Sequence, residues 1–178
     1  VTEGEILVDG TDIRKVSQHD LREKIGYVPQ KGILFSGTIE SNLKYGNEDA
    51  LLEELEEATN IAQASEFINT KALKYAEEIS QGGTNLSGGQ KQRLSIARAI
   101  ARYPEILIFD DSFSALDYKT DSKLRKFLKK ESIGTTMLVV AQRISSIRDA
   151  DKIIVLEDGQ MVGIGKHGEL MKKCEVYK

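Results

Sequence analysis

The sequence has little of several features that would place it in a specialised class of protein. Its single cysteine, Cys174, excludes an internal disulfide and a cysteine-rich metal site, and it favours a reducing compartment. With 2 prolines and 15 glycines among 178 residues, the composition is globular, neither collagen-like nor low-complexity. The longest apolar runs, such as 137–141, are far shorter than the ~18 residues that a membrane-spanning helix needs.

An excess of positive charge is also missing. The 25 Lys and Arg residues stand against 28 Asp and Glu residues, which gives a net charge of -3. No global positive field therefore favours nucleic acid or anionic lipid, and we expect no nucleic-acid partner. The lysine-rich stretch from Lys119 to Lys130 is interpreted as the solvated face of a helix whose other face carries Leu124 and Leu128.

The first third of the chain predicts short elements that end at a strand. A hairpin is expected around Asp9-Gly10, because this pair tolerates the positive φ angles of a tight turn. A short helix is expected from Ser17, followed by a strand over 26–28 that Pro29 stops. Gln30 is thus predicted to lie just past a strand end.

The rest of the chain alternates between helical and strand periods. Helical spacing over 38–68 predicts a helical insertion, and a further helix after Ser87 has an apolar stripe of Leu94, Ala97, Ile100 and Ala101. Continuous apolar runs at 106–109, 137–141 and 153–156 are typical of parallel strands that are covered on both faces. Helices between such strands indicate βαβ units and an α/β fold. A second hairpin around Asp158-Gly159 and a short helix after Lys166 are expected at the end.

A hydroxyl and two glycines stand at the predicted start of the third helix, in the sequence Leu86-Ser87-Gly88-Gly89-Gln90. The free backbone N–H groups and the positive end of the dipole at a helix start favour a phosphate. A plain helix cap with two permissive glycines is the alternative interpretation, and the spacing alone leaves both open.

Two carboxylates, Asp110 and Asp111, follow the buried strand at 106–109. Open α/β sheets bind ligands at the carboxyl ends of their strands, and carboxylate oxygens suit Mg²⁺. The alternative, in which Asp111 only caps the next turn, explains one of the two residues.

Five stretches together resemble the ATPase domain of ATP-binding cassette (ABC) transporters, over essentially all 178 residues. They match, in the family's order, the Q-loop, the signature, the Walker B strand, the D-loop and the switch loop: Tyr27–Gln30, Leu86–Gln90, Ile106–Asp111, Ser114–Asp117 and Val140–Arg143. Glu78, eight residues before Leu86, and the ending from Ala150 to His167 resemble exporters. The resemblance implies a RecA-like P-loop NTPase core with an inserted helical subdomain and part of an antiparallel β subdomain.

The resemblance also implies a division of the chain. Residues 1–33 would hold part of the β subdomain and the core through the Q-loop, 34–103 the helical subdomain, and 104–178 the rest of the core. No stretch matches Gly-x-x-x-x-Gly-Lys-Ser/Thr, a loop that the family places upstream of the position of Val1. We therefore expect the chain to be a fragment of a longer protein and to be inactive by itself.

By the same resemblance, ATP and Mg²⁺ are the expected cofactors. Gln30 would contact Mg²⁺ and the attacking water, and Asp110 would hold Mg²⁺ through a water molecule. A nucleotide shared with a second ABC ATPase domain would be contacted by Ser87, Gly88, Gly89, Gln90 and Asp117. The other implied partner is a membrane-spanning transporter domain, at the cytoplasmic face of the cell membrane.

Two residues depart from the family pattern. Asp111 stands where the family has the glutamate that acts on the attacking water, and Gln142 stands where it has a histidine. This combination beside an intact signature resembles the weaker chain of a heterodimeric multidrug-type exporter, although a homodimer with slow turnover is also consistent with it. Two other functions stay open: a soluble ABC ATPase without a membrane domain, and a nucleotide-holding regulatory domain.

Overall fold

The computed structural model describes residues 2–131 and 134–178, so Val1, where the first predicted segment begins, lies outside the described residues. The chain divides into two compact units, of which one ends at Val140 and the other spans Ala141–Lys178. The division at 33 and 103 stays a prediction.

The strands are β1 (Leu7–Val8), β2 (Thr11–Asp12), β3 (Ile25–Val28), β4 (Gly37–Thr38), β5 (Glu78–Ile79), β6 (Ile106–Asp110), β7 (Thr136–Val140), β8 (Ile153–Glu157) and β9 (Gln160–Gly165). The helices are α1 (Gln18–Glu23), α2 (Ile39–Leu43), α3 (Leu52–Ile61), α4 (Ser65–Asn69), α5 (Gly88–Ile100), α6 (Tyr118–Glu131), α7 (Ile144–Ile147) and α8 (His167–Lys173). Short 3-10 turns lie at Ile13–Lys15, Lys44–Gly46, Lys74–Ala76, Gln81–Gly83 and Glu175–Tyr177.

The central sheet of the first unit is parallel, with the strand order β3-β6-β7. Its middle strand, β6, is the predicted apolar run, and Leu107 and Phe109 bury their side chains on the face that packs against the helical core. The parallel pairing of β6 with β7 confirms the prediction of parallel strands for the runs at 106–109 and 137–141. The prediction that both faces are covered is wrong for the run at 137–141, because Met137, Leu138 and Val140 are exposed.

The third apolar run behaves differently from the other two. β8 pairs antiparallel with β9 across the turn at Asp158-Gly159, and Ile154 and Leu156 are exposed. A tight turn joins sequence neighbours, and such neighbours pair antiparallel. The hairpin prediction is therefore confirmed, whereas the prediction of a covered parallel strand at 153–156 is wrong within the described residues.

Helices α2 to α5 follow one another between β3 and β6 in the first unit. The predicted stripe on α5 is confirmed, since Leu94, Ala97 and Ala101 are almost fully buried. On α3, Leu55 is fully buried. Leu51 and Leu52 remain exposed because they lie at the N-cap and first turn of the helix, ahead of the packed part.

Gly26 on β3 is where the sheet approaches α5 most closely. A Cβ atom there would lie 2.9 Å from the carbonyl oxygen of Ala99, from a methyl group of Leu107 and from the ring of Pro104. We expect Gly26→Ala to lower the free energy of unfolding by about 1–3 kcal/mol, because backbone must move to relieve this overlap. Gly168→Ala is the matched control, since a Cβ atom there meets nothing within 4 Å. Urea unfolding of both variants checks this, and equal midpoints would contradict the close approach.

The second unit has a small core of its own, formed by Ile153, Leu170, Cys174 and Tyr177. His167 begins α8, and its Nδ1 lies 3.0 Å from the hydroxyl of Tyr177, so it is a helix-start residue as expected. Within residues 2–131 and 134–178, no helix is both long enough and apolar enough to cross a bilayer.

Candidate functional site

Two carboxylates and an amide meet at the carboxyl ends of β3 and β6, and we call Gln30, Asp110 and Asp111 the carboxylate site. Asp110 is the last residue of β6, and Asp111 follows it. Gln30, which is 81 positions from Asp111 in the sequence, donates a hydrogen bond of 3.2 Å from Nε2 to Oδ2 of Asp111. The structure therefore brings together three of the predicted site residues.

Tyr27 joins the carboxylate site from the preceding strand. Its hydroxyl donates a hydrogen bond of 2.9 Å to Oδ2 of Asp110. This hydrogen bond to a carboxylate, together with partial burial and the negative charge of Asp110, raises the pKa of Tyr27 above its usual value. The motif that contains Tyr27 gives this residue no role. The strand register reveals the contact, since Tyr27 pairs with Ile108 and therefore shares a sheet face with Asp110.

The turn after β6 is tied to both neighbouring strands. The N–H group of Asp111 donates to the carbonyl of Val140 at 2.9 Å, and the buried hydroxyl of Ser112 donates to the carbonyl of Val28 at 2.8 Å. Asp111 has a φ of 45°, which is the left-handed region that aspartate tolerates better than most residues. Its carbonyl, not its carboxylate, accepts from the Ser114 hydroxyl, so its carboxylate is held by Gln30.

The start of α5 is capped from both directions, and we call residues Ser87–Gln90 the helix start. Ser87 Oγ accepts from the N–H group of Gln90 at 3.2 Å, while Oε1 of Gln90 accepts from the N–H group of Ser87 at 3.0 Å. Among the described residues, none accepts a hydrogen bond from the N–H groups of Gly88 and Gly89. The cap interpretation is thus correct, and it still leaves two donors available to an anion.

The D-loop lies beside the helix start. A Cβ atom on Gly89 would lie 3.5 Å from the carbonyl oxygen of Ala115. Asp117 accepts hydrogen bonds from the hydroxyl and the N–H group of Thr120, at 2.6 and 3.0 Å, and these lower the pKa of Asp117. The aspartate therefore orders the first turn of α6, and its contact with a nucleotide stays a prediction.

Gln92 connects the helix start to the Q-loop, a link that the sequence analysis missed. Its side chain is almost fully buried, accepts from the N–H group of Gly32 at 2.8 Å and donates to the carbonyl of Pro29 at 3.1 Å. The available signal was an amide on the buried side of an amphipathic helix, where a polar group needs partners.

Gln142 belongs to the second unit, where it is exposed in the segment before α7. Its predicted role at the nucleotide stays a prediction.

The donor set fits a magnesium ion that is shared with a nucleotide. The described residues contain no group of three or more His, Cys, Asp and Glu side chains that would hold a metal by themselves. Mg²⁺ is usually bound through one or two carboxylates, with water and substrate phosphates completing its shell. Asp110 and Asp111 provide such carboxylates, and the Oε1 atom of Gln30 remains available while Nε2 donates to Asp111.

Comparison with known proteins gives the same family as the motifs. Residues 1–114 match the family described as ABC transporter. An ABC transporter ATP-binding protein of Mycobacterium tuberculosis is 47% identical over 180 residues, which cover 99% of this chain and 31% of that protein. Human ATP-binding cassette sub-family B member 5 is 45% identical over 175 residues, which cover 98% of this chain and 14% of that protein.

A solved structure supports the fold directly. The structure of a bacterial Atm1-family ABC exporter with ATP bound matches with a TM-score of 0.94 and 38% identity, and the match covers 98% of this chain and 31% of that one. The predicted RecA-like P-loop fold is thereby confirmed. The chain spans about a third of the length of its bacterial relatives, and it belongs to the ABC transporter family as an ATP-binding domain of the exporter type.

Proposed function

We propose that this chain is the part of an exporter ATPase that binds MgATP and takes part in its hydrolysis, which powers transport in the intact protein. One observation carries the proposal: the hydrogen bond between Gln30 and Asp111 unites the Q-loop and the Walker B strand at one end of the sheet. The similarity to an ATP-bound exporter supports the same function. ABC ATPase domains bind ATP together with Mg²⁺, and the carboxylate site provides suitable ligands.

In this proposal, Asp110 and Gln30 hold the Mg²⁺ of the chain's own nucleotide site. When bound, that ion neutralises charge on the transferred phosphoryl group. Asp111 orients the attacking water from a backbone that Val140 fixes. An aspartate is one methylene shorter than the family's glutamate, which withdraws the carboxylate by ~1 Å and costs ~100-fold in rate. Gln142 donates a hydrogen bond near the phosphate but carries no charge or transferable proton.

The helix start serves the other nucleotide site of a head-to-tail dimer with a second ABC ATPase domain. Ser87 Oγ already accepts a hydrogen bond from Gln90, so its own hydrogen is left to donate to a phosphate oxygen. The N–H groups of Gly88 and Gly89 supply two further donors. Donors that are fixed before the reaction stabilise the charge that develops in phosphoryl transfer.

Coupling to a membrane-spanning domain, at the cytoplasmic face of the membrane, is the other part of the proposal. A Bacillus subtilis protein named as a multidrug export ATP-binding/permease protein is 44% identical over 178 residues, which cover 100% of this chain and 31% of that protein. That relative favours a membrane-coupled exporter over a soluble ABC ATPase. The division into 1–33, 34–103 and 104–178 is proposed from the order of the family motifs along the chain.

Replacing Asp110 by asparagine in the intact protein tests the proposal. We expect Asp110→Asn to lower MgATP hydrolysis at this chain's site by about 100-fold, because a neutral amide replaces the metal-facing carboxylate. Asp158→Asn is the matched control, since it makes the same charge change in an exposed hairpin turn. Hydrolysis is measured with the partner site disabled, and wild-type turnover by Asp110→Asn would contradict the proposal.

The assay needs the intact protein. Residues 1–178 contain no Gly-x-x-x-x-Gly-Lys-Ser/Thr loop, so we expect these residues alone to show no measurable MgATP binding in calorimetry. If residues 1–178 bound MgATP with micromolar affinity, the carboxylate site and the helix start would be sufficient for nucleotide binding, and this expectation would be wrong.

A further inference from the structure

Each carboxylate of the carboxylate site is held by one donor from β3 or the residues just after it. The hydroxyl of Tyr27 donates to Asp110 at 2.9 Å, and the amide of Gln30 donates to Asp111 at 3.2 Å. The two acids are adjacent in the sequence, yet they are held by different donors that stand three residues apart. The arrangement therefore gives each acid its own orientation.

The backbone presets the position of the Tyr27 hydroxyl. Tyr27 pairs with Ile108 in the parallel ladder, and the next pair joins Val28 to Phe109. Beyond the ladder, the Ser112 hydroxyl donates to the carbonyl of Val28, which fastens the end of β3 to the turn after Asp111. Because both strands are fixed relative to each other, the phenol reaches the carboxylate without a change in either backbone.

The hydrogen bond from Tyr27 makes the two carboxylate oxygens of Asp110 different from each other. Oδ2 accepts from Tyr27, so rotation of the carboxyl group is restricted and Oδ1 is the oxygen left for another partner. Groups that orient a metal-facing carboxylate by a hydrogen bond tune its affinity for the ion. Asp110 therefore has the partner that a metal-facing carboxylate needs.

We infer that Tyr27 is a positioning residue, which orients Asp110 toward the divalent cation that accompanies ATP. The inference rests on the proposed function, because it takes Asp110 to face that cation. Tyr27 does not touch the nucleotide or the reacting atoms in this account; it acts only through Asp110. Tyr27 is 53% exposed, so Tyr27→Phe removes the hydroxyl from a site that tolerates the change.

Mn²⁺ titration of the intact protein tests the inference without relying on turnover. A non-hydrolysable ATP analogue is present, the partner site is disabled, and free Mn²⁺ is followed by electron paramagnetic resonance. We expect Tyr27→Phe to weaken Mn²⁺ binding by about tenfold, the low end for loss of a group that orients a metal ligand. Tyr103→Phe is the matched control, because its hydroxyl also contacts a carboxylate, at 3.3 Å from Glu57, but outside the carboxylate site.

The same titration separates the inference from the proposed function. If Asp110→Asn weakens Mn²⁺ binding and Tyr27→Phe does not, Tyr27 has no positioning role although the proposed function holds. If Asp110→Asn also binds Mn²⁺ like the wild type, Asp110 does not face the cation and both fail. Equal loss in Tyr27→Phe and Tyr103→Phe would indicate a general structural effect and would overturn the inference. Thermal unfolding checks that the variants fold, and Tyr27→Leu, which also lacks the hydroxyl, gives a second measurement.

Discussion

Replacing Gly89 by aspartate in the proposed head-to-tail dimer is expected to lower ATP hydrolysis at the shared site by about 100-fold or more, because a negative charge beside the phosphate opposes the stabilisation of the charge that develops in the reaction. The new carboxylate would stand at the helix start, beside the N–H groups that a phosphate would use. A Cβ atom on Gly89 comes no closer than 3.5 Å to the Ala115 carbonyl, so this first atom of the side chain is placed without displacing the backbone. An acidic residue in the first turn of a helix is also favourable for the helix itself. The expected loss is therefore electrostatic and does not come from unfolding.

Gly89→Asn separates charge from size at the same position, because its side chain has nearly the same shape and no charge. We expect the asparagine variant to keep at least ~10 times more activity than the aspartate variant, since it adds no repulsion of the phosphate. Steady-state hydrolysis of a dimer that carries the change only in this chain provides the measurement. Unchanged hydrolysis in Gly89→Asp would refute a site shared between two domains, and equal losses in both variants would refute the electrostatic cause.

The second large effect is expected from repairing both departures from the family pattern. With the partner site disabled, Asp111→Glu plus Gln142→His should raise hydrolysis at this chain's site by more than the product of the two single effects. In the proposed function both residues serve one transition state, and residues that do so are not additive. The backbone at Asp111 gives a structural reason why Asp111→Glu alone should raise hydrolysis only a little. The φ of 45° there suits aspartate, and a residue that tolerates this conformation less well loses about 1 kcal/mol or more of stability.

The outcomes of this repair distinguish three explanations. If the double variant stays inert, slow hydrolysis at this chain's site has another cause. The signature of the partner domain would then be the next motif to mutate. An unmodified site that already turns over as fast as the partner's would favour the homodimer with slow turnover. A rise that only the double variant shows would support the weaker chain of a heterodimeric exporter. Single-turnover measurements on each variant give these rates without a contribution from product release.

Periodicity in the sequence predicted the elements that carry the site. The stripe on α5 and the apolar run of β6 each reflect burial on a defined face, and burial is what the pattern of side chains records. The partner of β8 could not be predicted in the same way, because an apolar run looks alike in parallel and antiparallel pairs. The hairpin signal at Asp158-Gly159 decided that pairing.

The contacts within the site join residues that are far apart in the sequence, and no local sequence pattern predicts such contacts. Tyr27 and Asp110 are 83 positions apart, and their hydrogen bond requires the exact register between β3 and β6. A shift of one residue would turn Tyr27 to the other face of the sheet. The family motifs predicted that Gln30 and the two acids belong to one site, but they did not predict which donor holds which acid.

Gln92 would make the two proposed nucleotide contacts thermodynamically linked. Its amide holds the backbone on both sides of Gln30, at Pro29 and Gly32, and a Cβ atom on Gly32 would lie 2.9 Å from the carbonyl of Lys91. These contacts join residues 29–32 and the first turns of α5 as one packed body. In a head-to-tail dimer, Gln30 would face one ATP molecule and Ser87 the other. Binding of either nucleotide that shifts this body must change the affinity for the second, and reciprocity requires the same factor in both directions.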